Sequence, residues 1–182
     1  MIVTSNKYLE EVGITPKPDA WQINFAALDL RVGVKIYRPV SGQEMILQPG
    51  QRLAINSKEH FLIQTLEKVT LPNDIVGVVY PRSGTNRKGI TVDMTGIVDP
   101  GYSGHLMIPV TNMMNKTVFF YPGERIAQIM FHRTEAVAES VRESKYHESG
   151  MQAKPDKEEE TKLLESGELF TAKVAELGYG NK

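Results

Sequence analysis

The chain has 182 residues and no cysteine. That excludes disulfides, thiolate metal sites and cysteine nucleophiles, and it suits a reducing compartment. Long apolar runs are missing too: none approaches the ~20 residues that a membrane helix needs. The opening segment Met1-Ile2-Val3-Thr4-Ser5-Asn6-Lys7 lacks the charged-then-apolar layout of a secretory signal. The expectation is a cytoplasmic protein with no membrane partner. Nor is there a surplus of positive charge. The formal net charge is -1, and no basic stripe stands out, which disfavours nucleic-acid polymers while leaving room for a small anion held by a few Arg and Lys. The sequence has no Gly-x-x-x-x-Gly-Lys phosphate loop and no Gly-x-Ser-x-Gly elbow. His60, His105, His132 and His147 are scattered without a pair at metal-ligand spacing, so no protein metal site is expected.

What is present is ordinary for a soluble globular chain: 41% apolar and 24% charged residues. Thr4 or Ser5 can cap a short helix through Glu11, stopped by Gly13, Pro16 and Pro18. From about Asn24 to Arg133, short runs rich in Val, Ile, Leu, Phe and Tyr recur between Gly, Pro and Asn turn signals. These runs are Leu28–Val32, Val34–Tyr37, Glu44–Leu47, Arg52–Ile55, His60–Thr65, Ile75–Tyr80, His105–Val110, Thr117–Phe120 and Arg125–Phe131. That spacing predicts an all-β sandwich or barrel-like fold. Two turns match one another, Gln48-Pro49-Gly50-Gln51 and Tyr121-Pro122-Gly123-Glu124, and both have the Pro-Gly order of a type II turn. Past Arg133 the composition turns polar. We expect a β domain over residues 1–150 and a tail over 151–182, either one amphipathic helix across 156–178 or a solvated segment.

Three stretches can carry chemistry. In Tyr80-Pro81-Arg82-Ser83-Gly84-Thr85-Asn86-Arg87, a strand gives way to a polar turn whose backbone N–H groups, Ser83 hydroxyl and arginines could meet an anion. Alone it is equally a plain turn with a charged residue. In Gly96-Ile97-Val98-Asp99-Pro100-Gly101-Tyr102, Asp99 ends an apolar strand and opens a Pro-Gly turn. Its carboxylate is either a local turn former or a base that orients and deprotonates water. In the run from Arg125 to Phe131, Arg125 and Gln128 interrupt a buried strand, and the Gln128 amide is either satisfied by backbone or offered to a ligand.

Taken together, these stretches resemble the dUTPase and dCTP-deaminase superfamily. The resemblance runs from Ala27-Leu28-Asp29-Leu30-Arg31-Val32-Gly33 through Pro81-Arg82-Ser83-Gly84 and Gly96–Gly104 to Asn112 and Pro122–Gln128. It implies a distorted β jelly roll (a β-clip) assembled as a homotrimer with sites at subunit interfaces. It places Arg82, Ser83, Gly84 and Gln128 at the phosphates, with Asp29 supporting the site. Gly96, Ile97 and their neighbours up to Asp99 would form the base-recognition hairpin of another subunit, with Tyr102 against the deoxyribose. Arg87 and Tyr146 are further substrate-binding candidates on the same grounds. Mg²⁺ would enter with the triphosphate, held by phosphate oxygens and water.

The superfamily contains two chemistries, and the sequence mixes their features. Leu28–Gly33, Arg87, Asp99-Pro100-Gly101 and Lys145-Tyr146 resemble the deaminases, but the Glu those enzymes carry ten residues after the Asp is Pro109 here. Ser83-Gly84, the Arg82-to-Asp99 hairpin length, Tyr102 and Gly104–Ile108 resemble the diphosphatases, although their Arg- and Gly-rich C-terminal arm is missing. The expectation is therefore a dUTP diphosphatase, a hydrolase with Asp99 as base that forms dUMP and pyrophosphate. One alternative is a dCTP deaminase using Asp93 or Glu124 as its acid–base group. The other is a non-catalytic deoxynucleotide-binding regulatory trimer.

Overall fold

The computed structural model describes residues 1–138 apart from Pro49, Met94 and Thr95. In chain order the elements are β1 (Ile2–Val3), α1 (Ser5–Glu11), β2 (Gly13–Thr15), a 3₁₀ turn (Ala20–Gln22), β3 (Leu28–Arg38), β4 (Gln43–Ile46) and β5 (Leu53–Ile55). They continue with β6 (His60–Thr70), β7 (Ile75–Pro81), α2 (Ser83–Arg87), β8 (Ile90–Val92), β9 (Ile97–Val98), β10 (Ser103–Asn112), β11 (Val118–Phe120) and β12 (Arg125–Arg133). The all-β expectation is borne out. The main sheet runs β8-β10-β6-β3-β12-β7-β9, with β1 added on β12, β2 on β6 and β4 on β3, while β5 and β11 form a separate ribbon. All pairs are antiparallel.

Period-two alternation is what folds these strands. In β6, Phe61, Ile63, Thr65, Glu67 and Val69 are buried while the residues between them reach solvent. β10 repeats the pattern with Leu106, Ile108, Val110 and Asn112 inward. The core fills with Leu28, Leu30, Ile36, Phe61, Ile63, Phe120, Ile126 and Phe131, all essentially inaccessible. Tyr8 of α1 closes one side, its ring 5.3 Å from that of Phe131 and its hydroxyl donating to the carbonyls of Asn24 (2.8 Å) and Ala27 (3.1 Å). Thr4 is the N-cap of α1, as the sequence suggests, but through its backbone and not through a side-chain hydrogen bond.

The two runs expected at Leu28–Val32 and Val34–Tyr37 are one continuous strand that changes partner. Leu28 to Arg31 pair with β12, Val32 to Tyr37 with β6, and Lys35 to Arg38 with β4. Gly33 lies at the change, where a Cβ would sit 2.6 Å from the Gln64 carbonyl oxygen and 2.9 Å from that of Thr65. Only a residue without a side chain lets the two backbones press together there. The Tyr121–Glu124 turn closes as read, with Glu124 N–H donating to the Tyr121 carbonyl at 3.0 Å and Gly123 at φ 85°. The apolar strand expected to end at Asp99 is β9, whereas β1, β2 and β8, two or three residues long, were not among the expected runs. Among the described residues, no helix is long and apolar enough to cross a membrane. The boundary expected at 150/151, the tail over 151–182 and Tyr146 lie outside the described residues.

Candidate functional site

β7 ends at Pro81, and Arg82 then caps α2, whose first turn closes with Asn86 N–H donating to the Arg82 carbonyl at 3.0 Å. Gly89, at φ 78°, stops the helix in a conformation that L side chains rarely adopt. Buried Thr85 fixes the turn to β12 by donating its hydroxyl to the Ile126 carbonyl at 2.7 Å. Arg82 is thereby held facing β3, where its Nε lies 3.1 Å from Asp29 Oδ1. The other oxygen of Asp29 accepts from Arg125 Nη1, also at 3.1 Å. The Asp29 side chain is 4% exposed. A buried carboxylate of this kind persists only if it is paired.

A second buried carboxylate supports the first. Glu67 is inaccessible and accepts from Arg31 Nε at 2.6 Å, from the Arg31 backbone N–H at 2.8 Å and from Gln22 Nε2 at 2.9 Å. Gln22 Nε2 also donates to the Asp29 carbonyl at 2.9 Å. Two guanidiniums lie against the Trp21 indole, that of Arg125 at 5.2 Å and that of Arg31 at 5.6 Å from the ring centroid. Sequence reading missed Trp21, Gln22 and Glu67 as members of this network. A partnership spanning 45 residues, such as Gln22 with Glu67, leaves no local pattern.

A hollow opens beside this network, lined among others by Arg82, Gly84, Lys88, Phe120, Glu124 and Arg125. Lys88 is ion-paired with Glu124, and its Nζ lies 4.8 Å from the Phe120 ring centroid. Three cationic side chains against one carboxylate make the lining suited to an anion. Ser83 and Arg87 sit exposed on α2 next to the hollow's Gly84 and Lys88. Lys88 was not among the residues singled out in the sequence. Gln128, across the strand pair from Asp29, donates an amide N–H to the Pro81 carbonyl at 3.3 Å.

Gly96, Ile97 and Asp99 lie on and beside β9, Tyr102 follows in the turn that leads into β10, and none of them lines the hollow. Asp99 opens the turn in which Tyr102 N–H donates to the Asp99 carbonyl at 3.2 Å, with Gly101 at φ 75°. Its carboxylate is exposed and has no hydrogen-bond partner among the described residues. Ile97 is 72% exposed, and the Gly96 carbonyl accepts from Val79 N–H at 2.8 Å. The Tyr102 ring folds over Gly104, where a Cβ would lie 2.6 Å from the phenol oxygen, and its hydroxyl donates to the His105 carbonyl at 2.8 Å. Burial pushes the Tyr102 phenol above its ordinary value. Of the two substitute carboxylates weighed from the sequence, Glu124 is taken up by Lys88 and by the Tyr121 N–H at 3.2 Å. Among the described residues, no three His, Cys, Asp or Glu side chains are grouped to hold a metal.

The sequence model of the dCTP deaminase-like family matches residues 4–134. The chain belongs to that family. It is 38% identical over 124 residues to the dCTP deaminase of Thermococcus gammatolerans, covering 68% of this chain and 77% of that one. It is 32% identical over 156 residues to a dUMP-forming dCTP deaminase of Methanobrevibacter smithii, covering 75% of this chain and 80% of the other. In fold it is similar to the crystal structure of 2'-deoxycytidine 5'-triphosphate deaminase from Agrobacterium tumefaciens, with a TM-score of 0.60 and 22% identity. That match covers 71% of this chain and 47% of the other, so the chain spans about half the length of that solved deaminase.

These relatives overturn the expectation of a dUTP diphosphatase. That expectation leaned on the missing Glu at position 109 and on Ser83-Gly84, the hairpin length and Tyr102. Among the features that misled, Gly84 lines the hollow, and the Tyr102 ring packs on Gly104 at the start of β10. Such features serve the shared fold whichever bond is broken, and the loss of one side chain at 109 does not by itself name the reaction.

Proposed function

We propose that the protein is a dCTP deaminase, in which water replaces the 4-amino group of dCTP to give dUTP and ammonia. The observation that carries the phosphate half of this reading is the pair Arg82 and Arg125, both pinned on buried Asp29 beside a cationic hollow. Arginines fixed before the ligand arrives lose little freedom on binding, which favours a highly charged triphosphate over a neutral nucleoside. The cytosine half is supported by the 32–38% identity to dCTP deaminases over most of the chain.

In this reading three copies assemble, and the exposed Asp99 hairpin of one completes the hollow of a neighbour. The separation of the two residue groups within one chain supports that arrangement, since neither contains all the parts. Mg²⁺ enters with the triphosphate; the lining offers cations for phosphate oxygens and a Glu124 already engaged by Lys88, which suits an ion held by the phosphates themselves.

The test is a panel of deoxynucleoside triphosphates incubated with the purified full-length chain and Mg²⁺, scored for ammonia and for pyrophosphate. Ammonia from dCTP is the expected result. Tight dCTP binding by calorimetry without ammonia would make the protein a regulatory binder and end the enzymatic reading.

A further inference from the structure

Asp93 follows β8 directly and stands opposite Pro109 of β10: Val92 pairs with Val110, and the Asp93 N–H donates to the Pro109 carbonyl at 3.0 Å. Residues directly opposite in an antiparallel pair project from the same face of the sheet, with Cβ atoms roughly 5 Å apart. Around the Asp93 carboxylate three strands place polar groups. The hydroxyls of Thr91 from β8 and Thr111 from β10 both donate to it. His60 Nδ1, from β6, lies 3.1 Å from Asp93 Oδ2 and 2.9 Å from Thr111 Oγ1. The Asp93 side chain remains 33% exposed and that of His60 36% exposed, so both are oriented without being sealed from a ligand. Asp93 also opens the segment that leads through Gly96 to Asp99, the hairpin on which base recognition is expected.

We propose that Asp93, oriented by His60, Thr91 and Thr111, is the acid–base carboxylate of this chain, transposed by one strand from position 109. This rests on the deaminase reading above. A proline at 109 removes a side chain from that face, and the carboxylate across the strand pair occupies the same side of the sheet. One proton of a water passes to Asp93 while an oxygen lone pair forms the C4–O bond; the C4=N3 π pair moves to N3, which takes that proton from Asp93. The water's remaining proton then passes through Asp93 to the amino nitrogen. The C4–N bond breaks with its electron pair on nitrogen, C4=O forms, and ammonia leaves. Asp93 ends in its starting state.

The experiment compares full-length wild type with Asp93→Asn, His60→Gln and the double variant Asp93→Asn/Pro109→Glu. Ammonia release from dCTP with Mg²⁺ and dCTP affinity by calorimetry are measured for each. Asp93→Asn is expected to lower kcat by roughly 10²- to 10⁴-fold with Kd within about threefold. His60→Gln gives a smaller fall and a displaced pH–kcat profile, as a positioning residue should. Pro109→Glu in the Asp93→Asn background restores part of the lost rate, because the carboxylate returns to the same face. A wild type that releases ammonia beside an Asp93→Asn variant of equal kcat overturns this assignment and leaves the deaminase reading standing. Loss of dCTP binding in step with kcat in Asp93→Asn also overturns it, by assigning the residue a structural role. A wild type that binds dCTP without releasing ammonia removes both.

Discussion

Asp29 and Arg125 are 96 residues apart in sequence, yet their side chains meet at 3.1 Å across the β3–β12 pair, with Arg82 on the other carboxylate oxygen. Removing the charge while keeping the shape, Asp29→Asn, leaves two guanidiniums without their counter-ion. The side chains of Arg82 and Arg125 are 20% and 37% exposed, so solvent screens part of the loss. We predict a loss of about 2–3 kcal/mol in unfolding free energy, below the full cost of breaking a sealed ion pair. Urea denaturation of the variant measures it.

Arg82→Ala tests the hollow, with Arg125 left on Asp29 to keep that carboxylate paired. The guanidinium is one of three cations lining that space, and a charge-assisted hydrogen bond contributes about 1.5–3 kcal/mol. Triphosphate affinity should fall roughly 10- to 100-fold, while deoxycytidine, lacking phosphates, is bound no worse. Calorimetry with both ligands checks this.

Gly33→Ala should destabilise the protein by about 2–3 kcal/mol, since its Cβ would have to displace backbone carbonyls and not a flexible side chain. Thermal denaturation of the variant gives the answer. A variant as stable as wild type would mean that β3 and β6 are not in the contact described.

Burial of Tyr8 raises its phenol from 10.0 to about 12. The unfolded chain ionises near the lower value, so the stability tied to Tyr8 is intact below pH 10.0 and is lost as pH climbs to about 12. Tyr8→Phe abolishes that alkaline dependence. It also removes the hydrogen bonds to the Asn24 and Ala27 carbonyls, costing about 1–2 kcal/mol at neutral pH. Denaturation curves at pH 8 and about pH 11 separate the two effects.

The long strands were readable because alternation such as that of Phe61, Ile63 and Val69 is itself the cause of their burial. The turns at Gly101 and Gly123 were readable because few residues but glycine adopt those angles. What sequence could not convey is partnership at a distance. Nothing local announces that Gln22 bridges Glu67 and Asp29, or that β3 changes neighbours at Gly33. The same holds at position 109: Asp93 can be named from the sequence, but that it stands opposite Pro109 appears only once β8 and β10 are paired.

The most direct measurement uses dCTP carrying ¹⁵N in its 4-amino group, followed by ¹⁵N NMR in the presence of the full-length protein and Mg²⁺. The deaminase account predicts that the label appears as ammonium while unlabelled deoxyuridine nucleotide accumulates. Label retained on the cytosine ring, whether the triphosphate stays intact or is cleaved, would contradict it.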